Sequence, residues 1–243
     1  MEFFINSKMA AIGKTYPKTC PPIRRSIGAT SSGARRECLR SCCACCMNKC
    51  GNKLKKKKWT TLIIIDSQAV KNTCTAGVDS KGFCFYKATN GIKRHLAVDT
   101  LGFPFFTHCT KANVSDDAGL IKMLTLNIDY FRSKPVHVPK ITILLDHGYH
   151  IAHLIAELEK VYPPIMTKIR FQLSTKPSTQ EKAAQGKSGF VPAVARWVIE
   201  RANAWMERCK ILVKNFERTL DNATTKINLC FVRLMLKRLA ASP

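Results

Sequence analysis

Apolar runs of strand length alternate with amphipathic stretches along residues 59–243, and this pattern predicts an α/β domain. The apolar runs at 60–66 and 141–146, the first of them largely β-branched, are each the length of a buried strand, and each ends in an aspartate. The segments 92–99 and 103–110 flank the turn sequence TLG, which is typical of a β-hairpin.

Apolar residues at helical spacing predict helices between and after these strands. Ser115 stands directly before the first helical stretch and is the predicted N-cap. In the third stretch the apolar stripe lies on one side and Glu200 on the other. The predicted helices span 115–131, 150–162, 192–214 and 222–240, with a short strand within 165–171. This order of elements favours a mixed sheet flanked by helices.

Residues 1–58 have a different character from the rest of the chain. They show no sustained helical or strand period, and they contain several prolines, a cysteine cluster and the run LKKKK. We therefore predict a low-order, basic, cysteine-rich segment at 1–58 and a folded domain at 59–243.

Charge and composition narrow the class of function. The 243 residues include 40 Lys and Arg against 16 Asp and Glu, a formal net charge of +24, which indicates a polyanionic partner such as nucleic acid. No apolar run has the roughly 18 residues that a membrane span needs. The amino terminus lacks the pattern of a secretory signal, and the later cysteines stand singly, as in reduced proteins. These features predict a cytoplasmic protein without a membrane partner.

The two strand-ending aspartates are candidates for a metal site. Asp66 and Asp146 would meet if their strands were neighbours, because sites in α/β sheets form beyond the carboxyl ends of strands. Mg²⁺ prefers such oxygen ligands. A third carboxylate, Glu200 or its competitor Glu207, could complete a pair of ions of the kind used in phosphoryl displacement. The alternative is that both aspartates form turns, with Asp146 as the N-cap of the next helix.

Four stretches of the sequence share a pattern: LIIIDSQAVKNT, GIKRHLAVDTLGFPFFTHCTKANVSDDAG, ILLDHGYH and VARWVIERANAWMERCKILVKNFERT. Taken together, they resemble the catalytic domain of DDE-type insertion-sequence transposases, and most closely the bacterial insertion-sequence-five kind. They occur in the order of that family, with Asp146 standing 80 positions after Asp66 and Glu200 standing 54 positions after Asp146. The resemblance covers about residues 60–240.

The resemblance implies a ribonuclease-H-like fold and an enzyme that cleaves and joins DNA at insertion-sequence ends. Asp66, Asp146 and Glu200 would be its catalytic residues and would hold two Mg²⁺ or Mn²⁺ ions. A homodimer acting on double-stranded DNA, both element ends and target, is expected in the bacterial cytoplasm, associated with the nucleoid. The basic residues that would contact phosphate are Lys93, Arg94, His95, Arg201 and Arg208.

The front segment leaves an alternative open. Residues 1–58 do not resemble the helical region that precedes the catalytic domain in such enzymes, so the chain could instead be an inactive, truncated remnant that only binds DNA.

Three further features have a functional and a structural interpretation. The cluster CLRSCCACCMNKC at 38–50 contains one C-x₂-C pair, and it is more typical of adventitious cysteine richness than of a zinc site. His147, His150 and His153 could bind a transition metal, but we expect them to be partly exposed at the mouth of the acidic site. The three tryptophans are expected to pack in the core: Trp59, Trp197 and Trp205.

Overall fold

The computed structural model describes residues 59–174 and 195–241, together with Cys42, Cys45, Cys46 and Lys49. Apart from these four, the residues of the predicted low-order segment lie outside the described part, as do three of its six clustered cysteines, Cys38, Cys43 and Cys50. The described strands are β1 (Leu62–Lys71), β2 (Phe83–Cys84), β3 (Thr89–Val98), β4 (Pro104–Lys111), β5 (Ile141–Leu145) and β6 (Ile169–Leu173).

The six strands form one mixed sheet. β3 pairs antiparallel with β1, and its other edge pairs antiparallel with both β4 and β2. On the far side of β1, strands β5 and β6 run parallel to it. β5 is buried at all five positions, which is why its sequence is a continuous apolar run rather than an alternating one.

Helices cover the sheet, and the main core lies between it and the first of them. The described helices are α1 (Asp116–Leu126), α2 (Ile128–Ser133), α3 (Ile151–Val161), α4 (Ile165–Lys168), α5 (Arg196–Glu207) and α6 (Leu220–Ala240). Ile63 and Ile65 of β1 belong to the core cluster formed with α1 to α4. Alternate positions of β1, Asp66 and Gln68, contact α5 instead, because successive side chains of a strand point to opposite faces.

The candidate site lies within one compact unit. Residues 57–227 form that unit, and residues 228–243 belong to another. In the part of the chain that the structure describes, no helix combines the length and the apolar character needed to cross a bilayer.

The predicted hairpin is confirmed as β3 and β4, and the structure of its turn requires particular residues. One carboxylate oxygen of Asp99 accepts hydrogen bonds from the backbone N–H groups of Leu101, at 2.9 Å, and Phe103, at 3.0 Å. Gly102 has φ of +77°, a backbone conformation that residues with a Cβ rarely adopt. Pro104 opens β4, where its missing N–H costs least.

The predicted helices differ in detail from the observed ones. Ser115 is the N-cap of α1, accepting from the N–H of Ala118 at 3.2 Å, as predicted. The stretch 115–131 is two helices, because the chain leaves helical geometry at Asn127. The predicted strand at 165–171 begins as the short helix α4 and becomes β6 only at Ile169.

Candidate active site

Asp66 and Asp146 lie at the same level of two adjacent parallel strands. Ile64 of β1 pairs with Leu144 of β5, and each aspartate follows its paired residue by two positions. β1 extends to Lys71, so the prediction that Asp66 ends its strand is wrong, whereas Asp146 directly follows β5 as predicted. β1 continues because β3 pairs with it beyond Asp66.

A single guanidinium lies between the two carboxylates. Nη2 of Arg196 is 3.9 Å from Oδ1 of Asp66 and 3.6 Å from Oδ2 of Asp146. Nδ2 of Asn203 donates to the other oxygen of Asp66 at 2.9 Å. Nη1 of Arg196 is buried and has no hydrogen-bond partner among the described residues. The pair of carboxylates therefore shares one cation, supplied by the first turn of α5.

Burial makes Asp66 costly to ionise. Desolvation raises the pKa of its carboxyl above the usual value, although the charge of Arg196 and the hydrogen bond from Asn203 oppose that rise. The side chain of Asp146 is about half exposed. One carboxylate of the pair is thus held within the protein, and the other opens to solvent.

One face of α5 is directed toward these aspartates. Arg196, Glu200, Asn203 and Glu207 recur at spacings of four, three and four residues, which places them on the same helical face. Glu200 is exposed, while Glu207 accepts a hydrogen bond from Gln68 at 3.1 Å. Within 59–174 and 195–241, no three His, Cys, Asp or Glu side chains are close enough to hold a metal ion. The structure brings Asp66 and Asp146 together, and the role of Glu200 stays a prediction.

The tripeptide Lys93–Arg94–His95 lies in the central strand β3 and does not form a surface patch. Arg94 is 4% exposed and His95 is fully buried. Lys93 forms an ion pair with Asp116 at 3.0 Å and donates to the backbone oxygen of Val114 at 2.7 Å. The prediction that these residues contact phosphate does not fit their position, because a strand between two others directs its side chains into the layers on both faces.

His95 makes the stability of the fold dependent on pH. Burial lowers the pKa of its ring to about 4 from the usual 6.5, and Nε2 lies 3.0 Å from Oγ1 of Thr110. In the unfolded chain the ring is protonated below about pH 6.5, whereas in the folded protein it is protonated only below about pH 4. The free energy of unfolding therefore decreases as the pH falls through this window. We expect the free energy of unfolding to decrease by about 2 kcal/mol between pH 7.5 and pH 5 from this residue alone.

Urea unfolding of the parent and of His95→Gln at several pH values checks this expectation. The free energy of unfolding should decrease less with falling pH in His95→Gln than in the parent. His137→Gln, at an exposed histidine, should show the same pH dependence as the parent. Identical profiles for parent and His95→Gln would contradict the assignment.

Arg201 is held between two tryptophans of α5. Its guanidinium carbon lies 4.5 Å from the ring centre of Trp197 and 5.0 Å from that of Trp205, and Nη2 donates to the backbone oxygen of Leu101 at 2.9 Å. Arg208 is exposed at the end of the helix. Trp197 is 52% exposed, so its predicted place in the core is wrong.

The predicted capping role of Asp146 is not observed. Its side chain accepts from the N–H of the next residue, His147, at 2.9 Å, and the N-cap position of α3 is His150. The three histidines of this region are exposed, as expected, and Nδ1 of His150 pairs with Asp117 at 2.7 Å. Both aspartates therefore remain candidates for chemistry rather than for capping.

Several residues around the site were not predicted. Burial opposes ionisation of Asp116, but the hydrogen bond from Lys93 holds the pKa of its carboxyl below the usual value. Burial, followed by the charges of Asp116 and Asp66, raises the pKa of Tyr149. The positions of Arg196 and Asn203 could have been inferred from their spacing of four and three residues from Glu200. No local pattern signals Tyr149.

Comparisons with known proteins agree with the resemblance found in the sequence. A protein from Burkholderia cepacia, named for the transposase of insertion sequence element IS402, is 28% identical over 151 residues. The match covers 60% of this chain and only 64% of that protein. The insertion-sequence-five subkind remains a prediction.

Solved structures of the Mos1 mariner transposase are distant neighbours. The crystal structure of its catalytic domain shares 9% identity at a TM-score of 0.31, covering 88% of this chain and 93% of that chain. The Mos1 paired end complex with Mn shares 11% identity at a TM-score of 0.29, covering 99% and 69%. At such low identities and TM-scores, the similarity to these structures adds no evidence beyond the strand order of the sheet.

The match to a family model covers more of the chain than the curated relative does. Three antiparallel strands followed by two parallel ones, with helices packed on the sheet, form the ribonuclease-H-like arrangement that the resemblance implies. A family model described as the transposase DDE domain matches residues 59–236. Because this match covers well over half of the sequence, the chain belongs to the transposase DDE domain family.

Proposed function

We propose that the chain catalyses Mg²⁺-dependent cleavage and strand transfer of DNA at insertion-sequence ends. The observation that carries the proposal is the placement of Asp66 and Asp146 at one level of adjacent parallel strands, sharing a single cation. Two carboxylates so arranged form a site for positive charge, and membership in the transposase DDE domain family supplies the reaction class.

The residues present fit a divalent metal. Two carboxylates already accept one positive charge between them, from Arg196, and hard cations prefer such oxygen donors. Asp66 and Asp146 would hold Mg²⁺ or Mn²⁺, with Glu200 as the third ligand from the facing side of α5. When bound, a pair of these ions stabilises the charge on the attacking and leaving oxygens of a phosphodiester.

The chain's own residues orient this site. Asn203 donates to one oxygen of Asp66, while the other oxygen faces Arg196. Arg196 balances the charge of both carboxylates through its Nη2. Arg208, exposed at the end of α5, adds positive charge for phosphate contact.

The wider assignment follows from the proposed reaction. Double-stranded DNA, as both element end and target, would be the partner, and the net charge of +24 supports a polyanion. Action on two ends requires a homodimer with one site for each end. A bacterial cytoplasmic protein associated with the nucleoid would meet this substrate.

Cleavage of a supercoiled plasmid that carries the element ends tests the proposal. With Mg²⁺ we expect nicking by the parent, no nicking in EDTA, and a loss of at least about a hundredfold in Glu200→Gln, since metal ligands contribute several kcal/mol. Glu159→Gln, at an exposed glutamate of α3, serves as the matched control and should cleave like the parent. DNA binding without cleavage under any divalent ion would contradict the proposal and favour the inactive remnant.

A further inference from the structure

An exposed aromatic turn connects β2 to β3. Its three rings belong to Phe83, Phe85 and Tyr86, which are 44%, 82% and 102% exposed; we call these residues the aromatic turn. The candidate active site does not include them. Large apolar side chains grouped on a surface are typical of an interaction site.

The aromatic turn is held in shape by its own backbone. Phe83 and Cys84 pair with β3, and the hydroxyl of Thr89 donates to the backbone oxygen of Lys87 at 2.7 Å. The rings of Phe83 and Phe85 meet edge to face with centres 5.1 Å apart. Ala88 closes the turn with φ of 43°. Rings presented in this way lose little conformational freedom on binding.

The aromatic turn lies beside the candidate active site. Nζ of Lys87 is 3.5 Å from the backbone oxygen of Ser67, the residue that follows Asp66. The side chain of Lys87 therefore reaches from the aromatic turn to the backbone beside Asp66.

The charge around the aromatic turn matches a nucleic acid. Two exposed lysines flank its rings in the sequence, Lys81 before Phe83 and Lys87 after Tyr86. Exposed rings beside lysines are the combination that binds unpaired nucleotides, the rings by stacking and the lysines by charge. A second copy of this basic chain would be repelled by the same lysines.

We propose that the aromatic turn stacks on an unpaired nucleobase of the DNA strand whose phosphate lies at Asp66 and Asp146. The inference rests on the proposed function and adds a preference for DNA that is single-stranded near the site of cleavage.

Binding of the full chain to two labelled DNAs, in EDTA, tests this inference. One DNA is a blunt duplex carrying the element end, and the other is the same duplex with a short single-stranded tail. We expect the parent to prefer the tailed DNA. In Phe85→Ser/Tyr86→Ser the affinity for tailed DNA should fall between about fivefold and about a hundredfold, the range for one stacked base. Affinity for the blunt duplex and its salt dependence should stay within about twofold, because no charge is removed.

The control variant is Val136→Ser/His137→Ser, at two exposed neighbours between α2 and β5, which should bind both DNAs like the parent. Circular dichroism verifies that both double variants are folded. An unchanged preference for tailed DNA in Phe85→Ser/Tyr86→Ser overturns the inference, and metal-dependent plasmid cleavage by the parent then leaves the proposed function standing. An equal loss on both DNAs also overturns it.

Two other outcomes are distinguishable. If sedimentation shows that the double variant loses self-association without losing the preference for tailed DNA, the aromatic turn binds a second copy of the chain and the inference is wrong. If the parent binds neither DNA, the inference fails together with the proposed function.

Discussion

Replacement of Asp146 by asparagine is expected to reduce metal-dependent DNA cleavage by about a thousandfold or more while leaving the protein folded. The substitution removes one of the two carboxylates that face each other across β1 and β5, and loss of a metal ligand costs several kcal/mol of transition-state stabilisation. The side chain of Asp146 is half exposed, so the substitution leaves no unpaired buried charge. Rates of nicking of a supercoiled plasmid with Mg²⁺ measure the effect.

DNA affinity separates a catalytic from a structural effect in this variant. Removal of one negative charge from a basic surface should leave the affinity unchanged or raise it slightly. Asp129→Asn is the matched control, because Asp129 is 90% exposed and pairs only with Arg132 of the same helix among the contacts described; it should cleave like the parent. Cleavage by Asp146→Asn at the parental rate would remove Asp146 from the site.

Truncation of Phe131 to alanine is expected to destabilise the domain by about 3–5 kcal/mol. The ring is fully buried, and its centre lies 5.8 Å from that of Phe106 and 5.5 Å from that of Tyr130. The loss combines the transfer of a large apolar side chain with a cavity that rigid neighbours do not fill. Urea unfolding followed by circular dichroism measures the change.

A comparison on the preceding helix isolates the effect of burial. Leu126→Ala removes an apolar side chain that is 55% exposed, and it should cost less than about 1 kcal/mol. Similar losses for the two variants would contradict the packing described for this core.

The placement of Arg196 bears on how the site reaches its working state. Its guanidinium occupies the space between Asp66 and Asp146, where positive charge is most favourable. A bound divalent cation would therefore compete with Arg196 for the same carboxylate oxygens.

Local sequence predicted most elements of the fold and two members of the site. The apolar runs before Asp66 and Asp146 predicted β1 and β5, because a strand buried on both faces has no polar positions. The turn sequence TLG predicted the β3–β4 hairpin, because the positive φ at Gly102 is a local requirement. Family motifs added Glu200, whose position on the facing side of α5 agrees with helical spacing. The predicted strands β1 and β5 and the hairpin are confirmed except at the end of β1, and the role of Glu200 stays a prediction.

Tertiary structure decided which polar residues face the site and which support the fold. Lys93, Arg94 and His95 form one basic tripeptide in the sequence, but β3 is central in the sheet, so Arg94 and His95 are buried and Lys93 pairs with Asp116. Trp197 was expected in the core, yet its side chain is 52% exposed.

Sequence and tertiary structure also determined different features of the site. The sequence by itself determined β1, β5 and the hairpin, since these depend on local periodicity and turn chemistry, and the family resemblance supplied the acidic residues proposed for the site. Only the parallel pairing of β1 with β5 brought Asp66 level with Asp146, and only the packing of α5 on β1 placed Arg196 between them. Burial and register are properties of contacts between distant segments, so no window of sequence contains them.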